Sequence, residues 1–409
     1  MSDRRMIYDT VKALAAAVLD RKPVTIESVK ALSVAALDRK PVTGLTHNFY
    51  RYPARFSPTF AATAIRYFSK PGEIVLDPYA GGGTTIVEAL AAGRRAVGSD
   101  LNSLAVFITK VKTTPLTPLG QRYVKHWLDN NVRRFTYRVP REELREWIDA
   151  ENTRNLSLAR ARFIKKVVAA ALDSICELPT PDTRDFARCI VLRTAQWALD
   201  GRERHTPLGD FRGKLIELGQ EMLGSIRSFT GQARRHGQKI EATIMNIDAA
   251  DLTNVDFFQQ REKVSLVVTS PPYPGVHVLY HRWQVDGRRE TPAPYWIAGC
   301  HDGQGASFYN FADRRINSLN KYFEKSLQTL RAVRGVMKFG GMIVQLVAFN
   351  HRDSQLPRYL QNMKDAGFNE VLPVGADRIW REVPNRKWHA TLKNISDSAN
   401  EVLLVHEAV

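Results

Sequence analysis

One stretch limits the possible folds more than any other: EIVLDPYAGGGTTIVEALAAGRRAVGSD, residues 73–100. EIVLD (73–77) is an apolar run closed by an acid, as expected of a buried strand. YAGGG is a turn. TTIVEALAAG (84–93) has helical composition and stops at Gly93, and RAVGSD (95–100) is a second short strand. Strand, helix and strand at this spacing form a βαβ unit, so a parallel sheet is expected.

Similar text resumes much later, in KIEATIMNIDAADL (239–252) and KVSLVVTSPPY (263–273). A helix over about 313–338 leads into another buried strand, GGMIVQLVAF (340–349), and FNEVLPVGADRIW with EVLLVHEA forms a closing pair of strands. Between the two blocks, residues 113–238 carry amphipathic segments such as LARARFIKKVVAAALDSI and no good strand, so they are expected to be a helical insertion. Near the N-terminus VKALAAAVLDRKPVT (11–25) recurs as VKALSVAALDRKPVT (29–43), each copy an Ala/Leu helix stopped by a proline. Two copies are too few for a solenoid. They suit a helical hairpin over 1–45, either a docking or self-association element or a duplication packed on the core.

Charge narrows the partners. The chain has 59 Lys and Arg against 42 Asp and Glu, a net +17 in 409 residues. Residues 113–240 hold 23 of the cations and 15 of the acids, hence 8 of that excess. Such a balance favours a polyanion, without separating DNA from RNA or an anionic membrane face. No run of eighteen apolar residues exists and the N-terminus has no apolar h-region, so a cytoplasmic protein is expected. Three scattered cysteines form neither a disulfide framework nor a zinc pattern, so no metal is expected.

The glycine turn, LDPYAGGGTT (76–85), lies between strand and helix, where open α/β sheets bind ligands. It is not the dinucleotide fingerprint, because Ile86 stands where the last glycine belongs, and no Gly-Lys-Ser/Thr makes it a P-loop. Asp77 before the turn suits a cationic group, and Asp100 at the end of the next strand suits ribose hydroxyls. That set fits a nucleoside with a charged amino-acid tail; the alternative is an ordinary strand–helix turn. VVTSPPYPG (267–275) is equally unusual, since Pro271 and Pro272 cannot donate to a ladder and so end a strand abruptly.

DPYAGGGTT and TSPPY together resemble the S-adenosylmethionine-dependent amino-group DNA methyltransferases, which modify N4 of cytosine or N6 of adenine. NFYRYPARFSP (48–58) resembles a further family element upstream of the cofactor motif. The resemblance covers roughly 46–112 and 239–409, which it marks as the catalytic domain, and leaves 113–238 as a candidate target-recognition insertion. It implies a Rossmann-like class I methyltransferase α/β sheet, mostly parallel with an antiparallel last strand. It implies S-adenosylmethionine as cofactor, held by Asp77, Pro78, Tyr79, Ala80, Gly81, Gly83, Thr84 and Thr85. Asp100 and Leu101, Asp248, and Tyr52 and Phe56 complete the expected cofactor set. Ser270, Pro271, Pro272 and Tyr273 are the implied catalytic residues. Ser at the first position favours the N4-cytosine subset. Cytosine C5 chemistry would need a cysteine nucleophile, and no Pro-Cys motif is present.

The order of the motifs excludes the permuted arrangement with the catalytic motif first. Double-stranded DNA is the expected partner, with a cognate restriction endonuclease or self-association through the repeat as further possibilities. Two regions compete to read the DNA: the helical insertion and the loop 274–312. In that loop Tyr280, His281, Arg282, Trp283, Arg288 and Arg289 mix cations with aromatics, as suits phosphate contact and base stacking. The alternative is a loop that packs its own aromatics.

Overall fold

The structure is a computed structural model that describes residues 25–38, 42–52, 57–138, 152–159, 161–202, 204–260, 262–274, 282–285, 287, 289–303, 316–349, 351–371, 377–383 and 399–409. In chain order the elements are α1 (Ile26–Leu37), α2 (Pro58–Phe68), β1 (Ile74–Asp77), α3 (Thr84–Ala91), β2 (Arg95–Ser99) and α4 (Ser103–Thr113). Four helices without a strand follow: α5 (Pro118–Asn130), α6 (Arg162–Ile175), α7 (Pro181–Leu199) and α8 (Leu208–Arg234). Then come β3 (Ala242–Met245), α9 (Asp256–Gln259), β4 (Val264–Thr269), β5 (Trp283–Val285), β6 (Arg289–Thr291) and α10 (Ala293–Ala298). The last elements are α11 (Ile316–Val336), β7 (Met337–Ala348), α12 (Arg352–Asp365), β8 (Phe368–Glu370), β9 (Trp380–Val383) and β10 (Ala399–Ala408).

The main sheet runs β3-β2-β1-β4-β7-β10-β8, with β9 paired to β10 off that path. The pairs β1–β2, β2–β3, β1–β4 and β4–β7 are parallel. β10 is antiparallel to both β7 and β8 and lies between them. This is a Rossmann-like α/β sheet, parallel but for the strand inserted near one edge, the arrangement that the resemblance implies.

Alternation along the strands divides the core in two. Val75, Leu266, Val344 and Leu403 face one cluster, with α2, α3, α4 and the helices of the insertion. Leu76, Val267, Ile343 and Leu404 face the other, with α11 and α12. The insertion shares the sheet's core: α8 packs on α3, and α7 packs on α4 and α10. Leu215, Phe229, Ile190 and Phe186 are buried there. The second copy of the repeat forms α1, which starts earlier than the pattern suggests because Thr25 and Ser28 make a capping box. Residues 11–24 of the first copy lie outside the described residues.

The described part of the 274–312 stretch holds regular structure. β5 and β6 pair as a hairpin and α10 follows. No helix among the described residues is long and apolar enough to cross a membrane.

Candidate active site

In a parallel sheet the carboxyl ends of the strands form one edge, and helix N-termini open onto it. Both motifs lie on that edge, on neighbouring strands. Asp77 ends β1 and Thr269 ends β4. The Thr269 Oγ1 donates to Asp77 Oδ1 at 2.7 Å, and the Tyr79 backbone N–H donates to the same oxygen at 3.1 Å. Thr85 Oγ1 in turn donates to the Val268 carbonyl at 3.0 Å, pinning the start of α3 to β4.

The turn itself is built on glycine. Gly83 caps α3 with φ of 75° and Gly81 has φ of 48°, both left-handed. Tyr52 from the upstream element lies over it, its ring 3.5 Å from where a Cβ on Gly81 would stand. Phe56, from the same element, is outside the described residues. Asp100 follows β2 and accepts from the Gly81 N–H and the Asn102 N–H, each at 2.8 Å. Beneath the turn the fully buried Lys112 of α4 donates to the Gly82 carbonyl at 2.6 Å.

Neither Asp77 nor Asp100 has a basic side chain bonded to it among the described residues. Burial pushes both carboxyls up to about 6, against the hydrogen bonds that favour their charged forms. Two acids held this way around a glycine turn suit a ligand that brings its own positive charge and hydroxyl donors. An ammonium, a sulfonium and a ribose diol meet that description, so the residues fit S-adenosylmethionine.

The sign of a pH effect follows. A cationic ligand binds the ionised carboxylates, and below about pH 6 the free protein holds protons there that binding must displace. Cofactor affinity is therefore full above that value. It weakens as pH falls from 6 to 5, by up to about tenfold per group that must lose a proton. Calorimetric titration between pH 5 and 7.5 reads this directly, and a flat dissociation constant would refute the carboxylates as cofactor contacts.

Other expected residues are placed less simply. Tyr79 is turned into the cluster under α11, where burial pushes its hydroxyl well up. Pro78, Ala80 and Ser99 knit the turn to β2: the Ser99 Oγ donates to the Pro78 carbonyl at 3.1 Å and the Ala80 N–H to the Ser99 carbonyl at 2.9 Å. Thr84 is buried in the first turn of α3. Asp248 has both carboxylate oxygens engaged, one with the Ala250 N–H and one with Lys325 of α11 at 3.0 Å. Asn246, not singled out from the sequence, donates to the carbonyls of Asp100 and Leu101 at 2.9 and 3.0 Å.

At the catalytic motif, Ser270 and Tyr273 are half-buried and their hydroxyls lie 2.9 Å apart. The Tyr273 hydroxyl also donates to Glu401 Oε1 at 2.7 Å. The Pro272 carbonyl is already engaged. Tyr322, a buried residue of α11, donates to the Pro272 carbonyl at 2.9 Å. Among the described residues no donor reaches the Pro271 carbonyl, and the Ser270 oxygen is bonded only to Tyr273.

The expected DNA-contact residues divide. Trp283 is 1% exposed and donates its indole N–H to the Tyr50 hydroxyl at 2.9 Å, so it packs the core and offers no face to a base. That corrects its reading as a stacking residue: an apolar ring on a short hairpin lowers the free energy more by burial against α7 than by exposure. Arg282 is held by Asp302 through two nitrogens, at 3.0 and 2.7 Å, which places it in a structural ion pair. Arg289 is exposed on β6. Tyr280, His281 and Arg288 lie outside the described residues.

Residues 33–110 match the family model for DNA methylases. The chain is similar to a Type II methyltransferase, M.MvaI from Kocuria varians, with 38% identity over 96 residues. The matched stretch is 22% of this chain and 21% of that protein, so about a fifth of the relative's length is spanned. Among solved structures it is similar to TrmN from Thermus thermophilus, with 12% identity, 87% of this chain and 49% of that chain covered and a TM-score of 0.32. It is also similar to the rRNA methyltransferase aviRa from Streptomyces viridochromogenes, with 10% identity, 90% and 94% covered and a TM-score of 0.35. The family match takes in Tyr52, the glycine turn and Asp100, whose carboxylates suit S-adenosylmethionine, the family's cofactor. Over residues 33–110, which hold the glycine turn and Asp100, the chain thus resembles the DNA methylases, and the Ser-Pro-Pro-Tyr stretch stands on the adjoining strand end.

Proposed function

We propose that the protein transfers a methyl group from S-adenosylmethionine to the exocyclic N4 amine of cytosine in duplex DNA. One observation carries the reading: the 2.7 Å bond from Thr269 to Asp77, which locks the residue before the catalytic motif to the first residue of the cofactor motif. An electrophile at the glycine turn and an amine at Ser270 then share one edge of the sheet. S-adenosylmethionine supplies a methyl group on a sulfonium, whose departure leaves a neutral thioether.

The chain's own part is to prepare the amine. The lone pair of an exocyclic amine is delocalised into the base and attacks poorly. Accepting its two N–H bonds at the Ser270 oxygen and the Pro271 carbonyl draws the nitrogen towards tetrahedral geometry and frees that pair. Tyr273 offers the base a face to stack on. The target nitrogen is out of reach inside a duplex, so the base must be flipped out, at about a few kcal/mol. The choice of cytosine rests on Ser as the first residue of the motif. The helical insertion is the favoured reader of the DNA, since Arg133, Arg134 and Arg138 are exposed on it with Tyr137. A setting in restriction–modification is suggested by the Type II relative.

The test is direct. The protein is incubated with S-adenosylmethionine and, in parallel, with unmethylated duplex DNA of mixed sequence or with RNA, and the nucleosides are analysed by mass spectrometry. N4-methylcytosine is the expected product. N6-methyladenine would keep the enzyme class and overturn the base. Methylation of RNA alone, or of neither polymer, would overturn the function.

A further inference from the structure

We infer that Glu401 is a positioning residue that fixes the direction of a hydroxyl chain, Ser270 to Tyr273 to Glu401, so that Ser270 meets the substrate amine purely as an acceptor. The inference rests on the methyltransferase reading above and adds a residue from a strand that neither motif contains.

The fold explains why an acid from the far end of the chain reaches the site. β10 runs against the parallel strands, so its first residues lie at their carboxyl edge. Glu401 stands opposite Ala348 at the end of β7 and opposite Arg381 on β9. It is 1% exposed. A buried carboxylate needs a partner, and Arg381 provides it, with Nε and a terminal nitrogen each 2.5 Å from Glu401 Oε2. Arg381 is itself fixed by a 2.7 Å bond from its other terminal nitrogen to the Ala36 carbonyl of α1.

Counting protons then gives the chain its direction. The ion-paired carboxylate only accepts, so at Oε1 the Tyr273 hydroxyl must donate. A phenol has one proton, so towards Ser270, 2.9 Å away, Tyr273 can only accept. Ser270 therefore spends its own single proton on Tyr273, and its remaining lone pairs are all that it offers to a substrate. A serine left to rotate could present a proton to the amine's lone pair and oppose attack. The carboxylate removes that option, and it gives a hydroxyl the acceptor character that a carboxylate or amide oxygen has without help.

Glu401→Gln tests this with almost no change of shape. Arg381 demands an acceptor, so the amide oxygen faces it and the NH2 faces Tyr273. The chain then reverses: Tyr273 accepts from the amide and donates to Ser270, which points its proton at the amine. With duplex DNA of mixed sequence and labelled S-adenosylmethionine, kcat should fall by about 10- to 100-fold, with cofactor affinity unchanged. Tyr273→Phe cuts the chain while keeping the ring. In that background Glu401→Gln should cost less than about twofold further, since uncoupled sites add and coupled ones do not.

Equal losses in both backgrounds, or a Glu401→Gln enzyme at the wild-type rate, would overturn the inference. A second readout needs no turnover. The 13Cζ resonance of labelled Tyr273 should move in Glu401→Gln as the phenol stops donating to a carboxylate, and an unmoved resonance would overturn the chain. A moved resonance in a protein that methylates no DNA would count against the proposed function and for the chain, so the two readings fail separately.

Discussion

Tyr273→Ala should lower methyl transfer by about 10³-fold or more while leaving S-adenosylmethionine affinity within about twofold. Two losses combine. The base loses its stacking face, worth about 1–3 kcal/mol by alanine substitution. Ser270 also loses the hydroxyl that holds its proton, and a misplaced acceptor costs of the order of 10²-fold. The proposed cofactor contacts, Asp77 and Asp100, lie at the ends of β1 and β2, on the other side of the Thr269–Asp77 bond, and should be spared. Single-turnover rates together with equilibrium cofactor binding separate the two. A variant with wild-type rate would remove Tyr273 from the active site, and one that lost both functions together would show that it supports the fold instead.

The second large effect is expected at Gly83, where Ala should disable the site from behind. A Cβ there would stand 2.7 Å from Thr109 Oγ1 and 3.0 Å from its Cγ2, and Thr109 is fully buried on α4. The left-handed φ of 75° adds about 1–2 kcal/mol of its own for any residue with a side chain. Overpacking of a buried contact typically costs a further 1–3 kcal/mol. The strain falls on the first turn of α3, so the glycine turn must shift away from Asp100, whose bond to the Gly81 N–H depends on it. Cofactor affinity should drop by at least about tenfold, with a melting temperature several degrees lower. Gly237→Ala is a suitable comparison: it too has positive φ, but the added methyl meets nothing within 4 Å. If Gly83→Ala bound cofactor as the wild type does, the close approach at the turn would not matter for the ligand.

What could be read from the sequence was whatever local chemistry enforces. The βαβ unit was legible because an apolar strand, a glycine turn and a helix stop follow one another within thirty residues or so. The helical insertion was legible from its period, and the two motifs from residue types that few other structures need. The partners of those motifs were not legible, because they come from distant strands and helices. Tyr322 closes the Pro272 carbonyl from fifty positions away and Glu401 reaches Tyr273 across 128. The one local sign of Glu401 was an acid at the head of a strand whose next residues, Val402 to Val405, are all buried. Trp283 was misread for a related reason: near a catalytic turn, an aromatic among cations looks the same whether it stacks on a base or on its own core.

The place of β10 also has a consequence for how the molecule is made. This strand follows β8 in the chain yet lies between β7 and β8. Before residues 399–408 leave the ribosome, β7 has one bare edge and β8 has nothing to pair with among the described strands. Everything up to β7 can assemble as synthesis proceeds. The carboxylate that orients Tyr273 arrives only when the gap is filled. Sheet closure and completion of the active site are thus the same event, and an unfinished chain that already holds the glycine turn and Ser270 lacks Glu401.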